Sequence, residues 1–265
     1  MPTALVLSAG GMFGAWQAGV WNVLSRRFQP DLVVGASAGA LNGWAIAGGC
    51  SSAELVDMWL APATGGLMRR RFPFPPWNGC FDPTALGRLV QRWFERFPPR
   101  IPYSTTLVEI PRLRQVRIPH ECITPAHLMA SCALPFGYPP VRIDGKLYVD
   151  GGLLDVLPVW AAVEMGATRV IAVNALPVMP SHPLRAIVRV IRLRDRKPAG
   201  IAASDVVLIR PRTPLGSIRD ALTWTPENMR RWIQQGENDA AAAAEAEESH
   251  PVAACLPISP RRVIH

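Results

Sequence analysis

Short apolar runs alternate along the chain with longer segments whose apolar residues recur every three or four positions. The first run, Leu5–Leu7, precedes a segment from Gly14 to Leu24 that has one apolar helical face. The second run, Leu32–Val34, precedes another helix-compatible segment, which stops at Gly48. This alternation predicts an α/β fold with a central, mainly parallel sheet flanked by helices.

The same pattern continues through the rest of the chain. Further predicted strands cover 105–109, 115–118, 169–173 and 206–209, and a predicted hairpin over 141–149 turns at Asp144-Gly145. The remaining predicted helices begin after Ser51 and cover 84–97, 126–132, 158–164 and 226 to 247. We expect the whole chain, residues 1–265, to form one domain whose C-terminal helix and frayed tail cover 226–265.

Local signals set the predicted helix starts. Ser51 with Glu54 reads as a capping box, and Asp82-Pro83 and Thr124-Pro125 each combine an N-cap residue with a proline in the first turn. Residues 61–79 are rich in proline and glycine, which predicts a long surface loop. Such a loop is either a lid or binding loop or a plain insertion.

Composition narrows the class of protein. Hydrophobic residues make up 49% of the chain, which suffices for a large core. The sequence contains no run of eighteen apolar residues, so no membrane span is predicted. The N-terminus lacks the charged start and the long apolar stretch of a signal peptide, so we expect a cytoplasmic protein. The five cysteines are widely spaced and predict neither a disulfide framework nor a zinc site.

The net charge of +8 comes almost entirely from arginine. A basic surface favours anionic partners such as phospholipid headgroups or nucleic acid, but arginine bias is common in GC-rich genomes, so we expect no nucleic-acid partner. Residues 184–197 place several arginines on one helical face. This segment is either a basic helix lying on an anionic membrane or a solvated surface helix. Peripheral membrane contact, here or through Trp77 in the 61–79 loop, is therefore left open.

The pentapeptide Gly35-Ala36-Ser37-Ala38-Gly39 lies between the second predicted strand and its helix. A serine at the apex of such a turn projects its hydroxyl outward, and the flanking glycines remove side chains that would crowd it. Ser37 is therefore a candidate nucleophile. A glycine-rich turn without chemistry is the alternative.

A second glycine-rich turn, Ala9-Gly10-Gly11, follows the first predicted strand. Its backbone N–H groups lie at the positive end of the next helix, where they would bind an anion such as the oxyanion of a tetrahedral intermediate. The alternative is a nucleotide-binding loop, with Asp31 near the expected distance. Against it, Ala9 replaces the first glycine of that motif and a Walker lysine is absent.

The general base is less obvious, because no histidine ends a predicted late strand, where a hydrolase triad would place it. Surface or helix-cap roles are expected for the five histidines: His120, His127, His182, His250 and His265. Asp150 stands at a strand end before Gly151 and Gly152, which permit close approach by another loop. A carboxylate bound to a serine hydroxyl serves as a general base, so Asp150 is the candidate, with an ordinary turn as the alternative.

Three elements thus occur in order: residues 7–14 (LSAGGMFG), residues 35–39 (GASAG) and residues 150–152 (DGG). Together with residues 130–135 (ASCALP) and the Pro139-Pro140 pair, they resemble the signatures of the patatin-like phospholipases. The resemblance covers about residues 4–175 and implies that family's three-layer α/β fold.

The resemblance also implies hydrolysis of lipid acyl esters by a Ser–Asp dyad without histidine, with no metal or organic cofactor. By motif position Ser37 is the nucleophile and Asp150 the base. The expected oxyanion and substrate-binding residues are Gly10, Gly11, Met12 and Gly14, and the supporting glycines are Gly35, Gly39, Gly151 and Gly152. We expect a phospholipid or another long-chain acyl ester as substrate, bound between the elbow and the 61–79 loop.

Two residues depart from the family pattern. Ala9 replaces the first residue of a glycine triplet and fits only with a negative φ, and Phe13 stands where the family usually has arginine or lysine. These departures motivate a non-catalytic lipid-binding or regulatory protein on the same scaffold as one alternative. An acyltransferase is a second. A conventional α/β-hydrolase ranks low, because its serine follows several strands and its histidine comes last.

Overall fold

The computed structural model describes residues 1–72, 79–176 and 205–249. The predicted basic helix at 184–197, Trp77, three of the histidines (His182, His250 and His265) and Cys255 lie outside these residues. The four cysteines within them are free. In the same ranges, no helix combines the length and the hydropathy needed to cross a bilayer.

The strands and helices follow the predicted order closely. The strands are β1 (Thr3–Leu7), β2 (Leu32–Gly35), β3 (Tyr103–Ile110), β4 (Arg114–Pro119), β5 (Val141–Ile143), β6 (Lys146–Asp150), β7 (Arg169–Val173) and β8 (Asp205–Ile209). The helices are α1 (Gly14–Leu24), α2 (Ala38–Ala47), α3 (Ser52–Leu60), α4 (Pro62–Gly65), α5 (Pro83–Arg96), α6 (Pro125–Ser131), α7 (Val159–Glu164), α8 (Ile218–Ala221) and α9 (Pro226–Ser249). Short 3-10 turns cover Gly11–Phe13, His120–Cys122 and Gly151–Leu153.

One mixed sheet contains all of these strands. Its core is parallel, in the order β8-β7-β1-β2-β3, which confirms the predicted parallel centre. The pairs β3–β4, β3–β6 and β5–β6 are antiparallel. Two of these pairs follow from short hairpin connections, because two or three residues cannot return a chain to a parallel neighbour.

Strand β3 positions the site, because it pairs with two different strands along one edge. β4 pairs with Ser104 to Glu109 on the opposite edge. The edge of β3 away from β4 pairs with both β2 and β6. The first residues of β3 pair with β2, where Gly35 lies opposite Thr105, and its last residues pair with β6, where Asp150 lies opposite Leu107. The carboxyl ends of β2 and β6 therefore face one another along β3, about 7 Å apart at two residues of strand rise.

Helices cover both faces of the sheet. Along β1, Leu5 and Leu7 pack into the larger core cluster with helices α1, α2 and α9, whereas Ala4 and Val6 pack with α7 on the other face. Alternate side chains of a strand point to opposite faces, so one strand contributes to both cores. This arrangement confirms the three-layer α/β fold.

The helix starts also follow the predicted capping. Asp82 accepts a hydrogen bond from the Thr84 N–H at 2.9 Å, and Thr124 forms a capping box with His127 at the start of α6. Of the capping box predicted at Ser51, one half forms: Ser51 accepts from the Glu54 N–H, but the Glu54 carboxylate pairs with Arg96.

The prediction of a structureless loop over 61–79 is wrong for the part that the structure describes. Helix α4 occupies its first residues, Leu67 is buried, and Arg70 forms a β-bridge with Phe81. The segment packs against the body because Leu67 joins the main core cluster. A single turn of helix is too short to give a periodic signal in the sequence.

Candidate active site

Ser37 lies at the apex of a strained turn between β2 and α2. Its φ of 55° and ψ of −125° are rare for a non-glycine residue. A Cβ at Gly35 would lie 2.1 Å from the carbonyl oxygen of Gly39, and one at Gly39 would lie 2.5 Å from that of Leu7. Only glycine fits at either position, so the sequence pattern around Ser37 is a steric requirement of this turn.

Two buried hydroxyls hold the strained backbone in place. The Ser37 N–H donates to Ser131 Oγ at 3.0 Å, and Thr105 Oγ1 donates to the carbonyl of Gly35 at 3.0 Å. The two hydroxyl oxygens are 3.0 Å apart. Because Thr105 gives its proton to Gly35, Ser131 must donate to Thr105, which completes a directed chain from one side of the turn to the other. The sequence predicts no role for Thr105, and it includes Ser131 only in the family resemblance of residues 130–135.

Asp150 ends β6 and faces the Ser37 hydroxyl. The carboxylate is 3% exposed, and its Oδ1 accepts a hydrogen bond from the Gly152 N–H at 2.7 Å. Burial raises the pKa of Asp150 to about 7, although hydrogen bonds from the Ser37 hydroxyl and the Gly152 N–H both lower it. The group is therefore a much stronger base than an exposed aspartate.

The glycine-rich turn supplies unpaired backbone donors beside this pair. Within the described residues, no hydrogen bond uses the N–H groups of Gly10, Gly11 and Met12. All three residues line the same cavity as Ser37 and Asp150. The positive ends of two helices, α1 with its preceding 3-10 turn and α2, thus meet at this point, which favours an anion there.

The cavity has a volume of about 260 Å³ and mostly apolar walls. It lies between Ser37 and the segment of Leu67 and Met68, as the sequence predicts, and Ile218 and Ala221 of α8 also line it. Its larger apolar lining residues include Leu41, Trp59, Leu67, Met68, Phe81, Leu86, Leu134, Leu153 and Leu222. Such a lining suits an apolar ligand whose one polar group reaches the donors and the serine.

Comparison with known proteins assigns the family. Residues 5–163, more than half of the chain, match the model of the family described as patatin-like phospholipase. The chain belongs to the patatin-like phospholipase family. This membership supports a lipid hydrolase.

One solved structure shows the same fold, and a second is a weaker match. VipD from Legionella pneumophila superposes with a TM-score of 0.54 at 14% sequence identity, over 92% of this chain and 67% of VipD. The type III effector protein ExoU gives a TM-score of 0.46 at 14% identity, over 93% of this chain and 53% of ExoU. At this identity the likeness to VipD shows the patatin-like fold and nothing finer.

Both departures from the patatin-like pattern are accommodated by packing. Ala9 is not among the residues with positive φ, and its N–H donates to the carbonyl of Val156 at 2.8 Å. A Cβ at Gly152 would lie 2.5 Å from the Ala9 methyl, so glycine there lets the Asp150 turn approach the glycine-rich turn at residues 9–11. Phe13 is buried edge-to-face against Trp232 of α9, with ring centroids 4.9 Å apart.

Gly14, predicted as an oxyanion or substrate-binding residue, and Gly151, predicted as a supporting glycine, both serve packing. Gly14 is not among the residues that line the cavity; a Cβ there would lie 2.3 Å from the ring of Trp59, so this glycine lets α1 and α3 approach each other. Gly151 lies against β3, where a Cβ would meet the carbonyl oxygen of Thr106 at 2.2 Å. Both glycines therefore act on the patatin-like site indirectly, because they let the helices and strands around it pack closely.

The surroundings of the other candidate groups exclude them as nucleophile, general base or nucleotide ligand. Cys132 lines the cavity, but burial raises the pKa of its thiol well above the usual value, so it stays protonated. Of the two described histidines, His127 completes the cap of α6 and His120 pairs with Glu121; neither lines the cavity. Asp31 accepts from the Thr3 N–H at the amino end of β1, away from the glycine-rich turn, which removes the nucleotide-binding alternative.

A chain of buried polar side chains fixes the glycine-rich turn after β1 relative to helix α2, which follows Ser37. The Trp59 indole donates to Asn42, Asn42 donates to Gln17 Oε1, and Gln17 Nε2 donates to the Ser8 carbonyl, at 2.8, 3.0 and 2.7 Å. Asn42 also donates to the Gly14 carbonyl at 3.0 Å. Because these groups are buried and paired with each other, α1, α2 and the turn after β1 hold one relative position.

Proposed function

We propose that this chain is a serine lipid acyl hydrolase of the phospholipase A or esterase type, with Ser37 and Asp150 as its catalytic dyad. One observation carries the proposal: a buried carboxylate with a pKa of about 7 accepts a hydrogen bond from a serine hydroxyl on a strained turn. Family membership supports the same reaction class. The apolar cavity at this pair favours an acyl chain as the bound group.

In the first half-reaction, Asp150 accepts the proton of the Ser37 hydroxyl as Oγ attacks the ester carbonyl carbon. The carbonyl electron pair moves to oxygen, and the N–H groups of Gly10, Gly11 and Met12 donate hydrogen bonds to that oxyanion. Collapse of the intermediate breaks the bond to the alcohol, which leaves with the proton held by Asp150. The product is an acyl-enzyme on Ser37.

In the second half-reaction, water gives a proton to Asp150 and its oxygen attacks the acyl-enzyme carbonyl. Collapse releases the fatty acid, and Ser37 recovers the proton. An acyltransferase would use the same acyl-enzyme with an alcohol in place of water. A competing alcohol in the assay therefore distinguishes the two by its acylated product. Ala9 and Phe13, which motivated the non-catalytic alternative, pack against Gly152 and Trp232 respectively, and this packing favours the catalytic proposal.

The test of this function is the release of fatty acid from a phospholipid across a range of pH. Asp150 must be ionised to accept the proton, so kcat/KM should rise with pH through about 7 and level off above it. Initial rates between pH 5 and pH 9, with fold monitored at each pH, give the profile. A profile that stays flat across pH 7 in the folded protein would exclude Asp150 as the base.

The oxyanion donors are tested by Gly11→Ala. Gly11 has a φ of +55°, and a Cβ there would lie 2.5 Å from the carbonyl oxygen of Ala221, so the turn must shift. We expect kcat to fall about 10²-fold, the usual effect of losing one oxyanion donor. The matched control is Gly166→Ala, which meets no atom within 4 Å and also carries a positive φ of 90°. Equal kcat losses in the two variants would show backbone strain alone and remove the turn from the mechanism.

A further inference from the structure

Exposed apolar side chains concentrate around the mouth of the cavity. In the part of the chain that the structure describes, six large apolar side chains are more than a third exposed: Met1, Phe72, Leu134, Phe136, Leu208 and Ile218. Leu134 and Ile218 line the cavity itself. Phe136 follows Leu134 by two residues, and Phe72 follows the cavity-lining pair of Leu67 and Met68. We call Phe72, Leu134, Phe136 and Ile218 the rim patch.

Backbone hydrogen bonds place the two phenylalanines on the same wall. The Arg71 N–H donates to the Cys80 carbonyl at 2.8 Å, and the Cys80 N–H donates to the Phe136 carbonyl at 2.9 Å. Arg71 and the turn at Phe136 therefore lie on opposite sides of Cys80, which puts Phe72 and Phe136 about two strand spacings, or 10 Å, apart. Phe81, which follows Cys80, lines the cavity.

Phe136 is held outward by an unfavourable backbone. Its φ of 65° is a genuine outlier for a bulky side chain, and the side chain is 74% exposed. Strain of this kind persists where the surroundings impose it, and it clusters at functional positions. Backbone hydrogen bonds from Cys80 and Phe81 hold this turn, while the Phe136 ring itself lies in water, an arrangement that suits an external apolar partner.

Basic residues adjoin the rim patch. Arg69 and Arg70, both exposed, and Arg71 directly precede Phe72, and the exposed Arg219 follows Ile218. The acidic residues close to these arginines, Asp82 and Asp220, cap helices with Thr84 and Ser217 and also interact electrostatically with Arg69, Arg71 and Arg219. Four arginines against two carboxylates leave the patch net positive. Apolar rings next to arginines are the composition of surfaces that insert shallowly into anionic lipid.

We propose that the rim patch docks on the surface of an anionic phospholipid bilayer, with its apolar side chains among the acyl chains and its arginines at the headgroups. The cavity mouth then faces the lipid, so an acyl chain passes from bilayer to cavity without crossing water. The inference rests on the proposed function only in taking the membrane lipid as substrate; binding itself requires no catalysis. The rim patch contains no residue of the predicted basic segment at 184–197, which lies outside the described residues.

The test is co-sedimentation with vesicles of equimolar phosphatidylcholine and phosphatidylglycerol, in the Ser37→Ala background so that lipid is not consumed. Phe72→Ser with Phe136→Asn should weaken binding at least about tenfold, because the variant lacks the two rings that insert among the acyl chains. Asparagine suits the left-handed backbone at 136, so this change should not destabilise the fold. Replacing Arg69 and Arg70 by glutamine should weaken binding about fivefold per residue, and only on the anionic vesicles.

The matched control is Leu208→Thr, which removes an exposed leucine of β8 outside the rim patch and should leave vesicle binding unchanged. On a soluble short-chain ester, the Phe72 and Phe136 variant with Ser37 intact should keep wild-type kcat/KM while losing activity on vesicles. Unchanged vesicle binding of this variant would overturn the proposal. A sedimentation shift from dimer to monomer, with vesicle binding intact, would assign the patch to a second copy of the chain. Vesicle binding through the patch without hydrolysis of either substrate would contradict only the proposed function.

Discussion

Replacing Ser37 by alanine is expected to lower kcat for acyl ester hydrolysis by at least about 10⁴-fold. The substitution removes the hydroxyl that hydrogen-bonds the Asp150 carboxylate and shares a cavity with the unpaired donors of the glycine-rich turn. Covalent catalysis then stops, and any residual rate comes from water attacking a bound ester near Asp150. KM should change little, because the apolar walls that hold the acyl chain are untouched.

A fluorophosphonate probe gives an independent measurement of the same residue. It should label the wild-type protein at Ser37, identified by peptide mass, and leave Ser37→Ala unlabelled. The control is Ser104→Ala, which removes a fully buried serine of β3 that does not line the cavity and whose hydroxyl accepts from Arg117 at 3.1 Å. That variant should keep both labelling and hydrolysis. Wild-type turnover by folded Ser37→Ala would mean that another residue is the nucleophile, and a folded wild type that resists the probe would favour a non-catalytic protein.

Most of the fold could be predicted because its signals are local. An N-cap followed by proline at Asp82 and Thr124, and the Asp-Gly turn at 144–145, specify backbone geometry within a few residues. The same is true of the strained turn, since the glycines that permit it are two residues from Ser37 on either side. Asp150 was found because no histidine stood in a suitable place and glycines followed a predicted strand.

The parts that could not be predicted depend on contacts between distant residues. Ser131 lies 94 positions after Ser37, and nothing near either residue specifies that their groups meet. The pairing of β6 with the far end of β3, which brings Asp150 toward Ser37, is likewise a property of the whole sheet. Gln17 and Asn42 look like ordinary polar residues on helices, and their role appears only when α1 and α2 are packed together. Long-range polar pairing leaves no periodic pattern in a sequence.

Asp150→Asn is expected to abolish hydrolysis and, above neutral pH, to stabilise the fold. Burial raises the pKa of Asp150 from the ordinary 3.8 to about 7, so between these values the folded state binds a proton that the unfolded state has released. Stability from this group is fully present below pH 3.8 and is lost as pH rises to about 7. Above that pH the wild type carries a desolvated carboxylate at a cost of about 4 kcal/mol, which a neutral asparagine avoids.

The measurement is Tm of Asp150→Asn and wild type as a function of pH. The variant should exceed the wild type by roughly 10 °C at pH 8, and the difference should shrink to near zero by pH 4. Asp82→Asn is a control of opposite sign: hydrogen bonds from Thr84 lower the pKa of Asp82, so that variant should lose stability at neutral pH and match the wild type in acid. If Asp150→Asn lowers Tm at pH 8, the ionised carboxylate does not destabilise the folded state. The raised pKa that lets Asp150 deprotonate Ser37 would then need a cause other than burial.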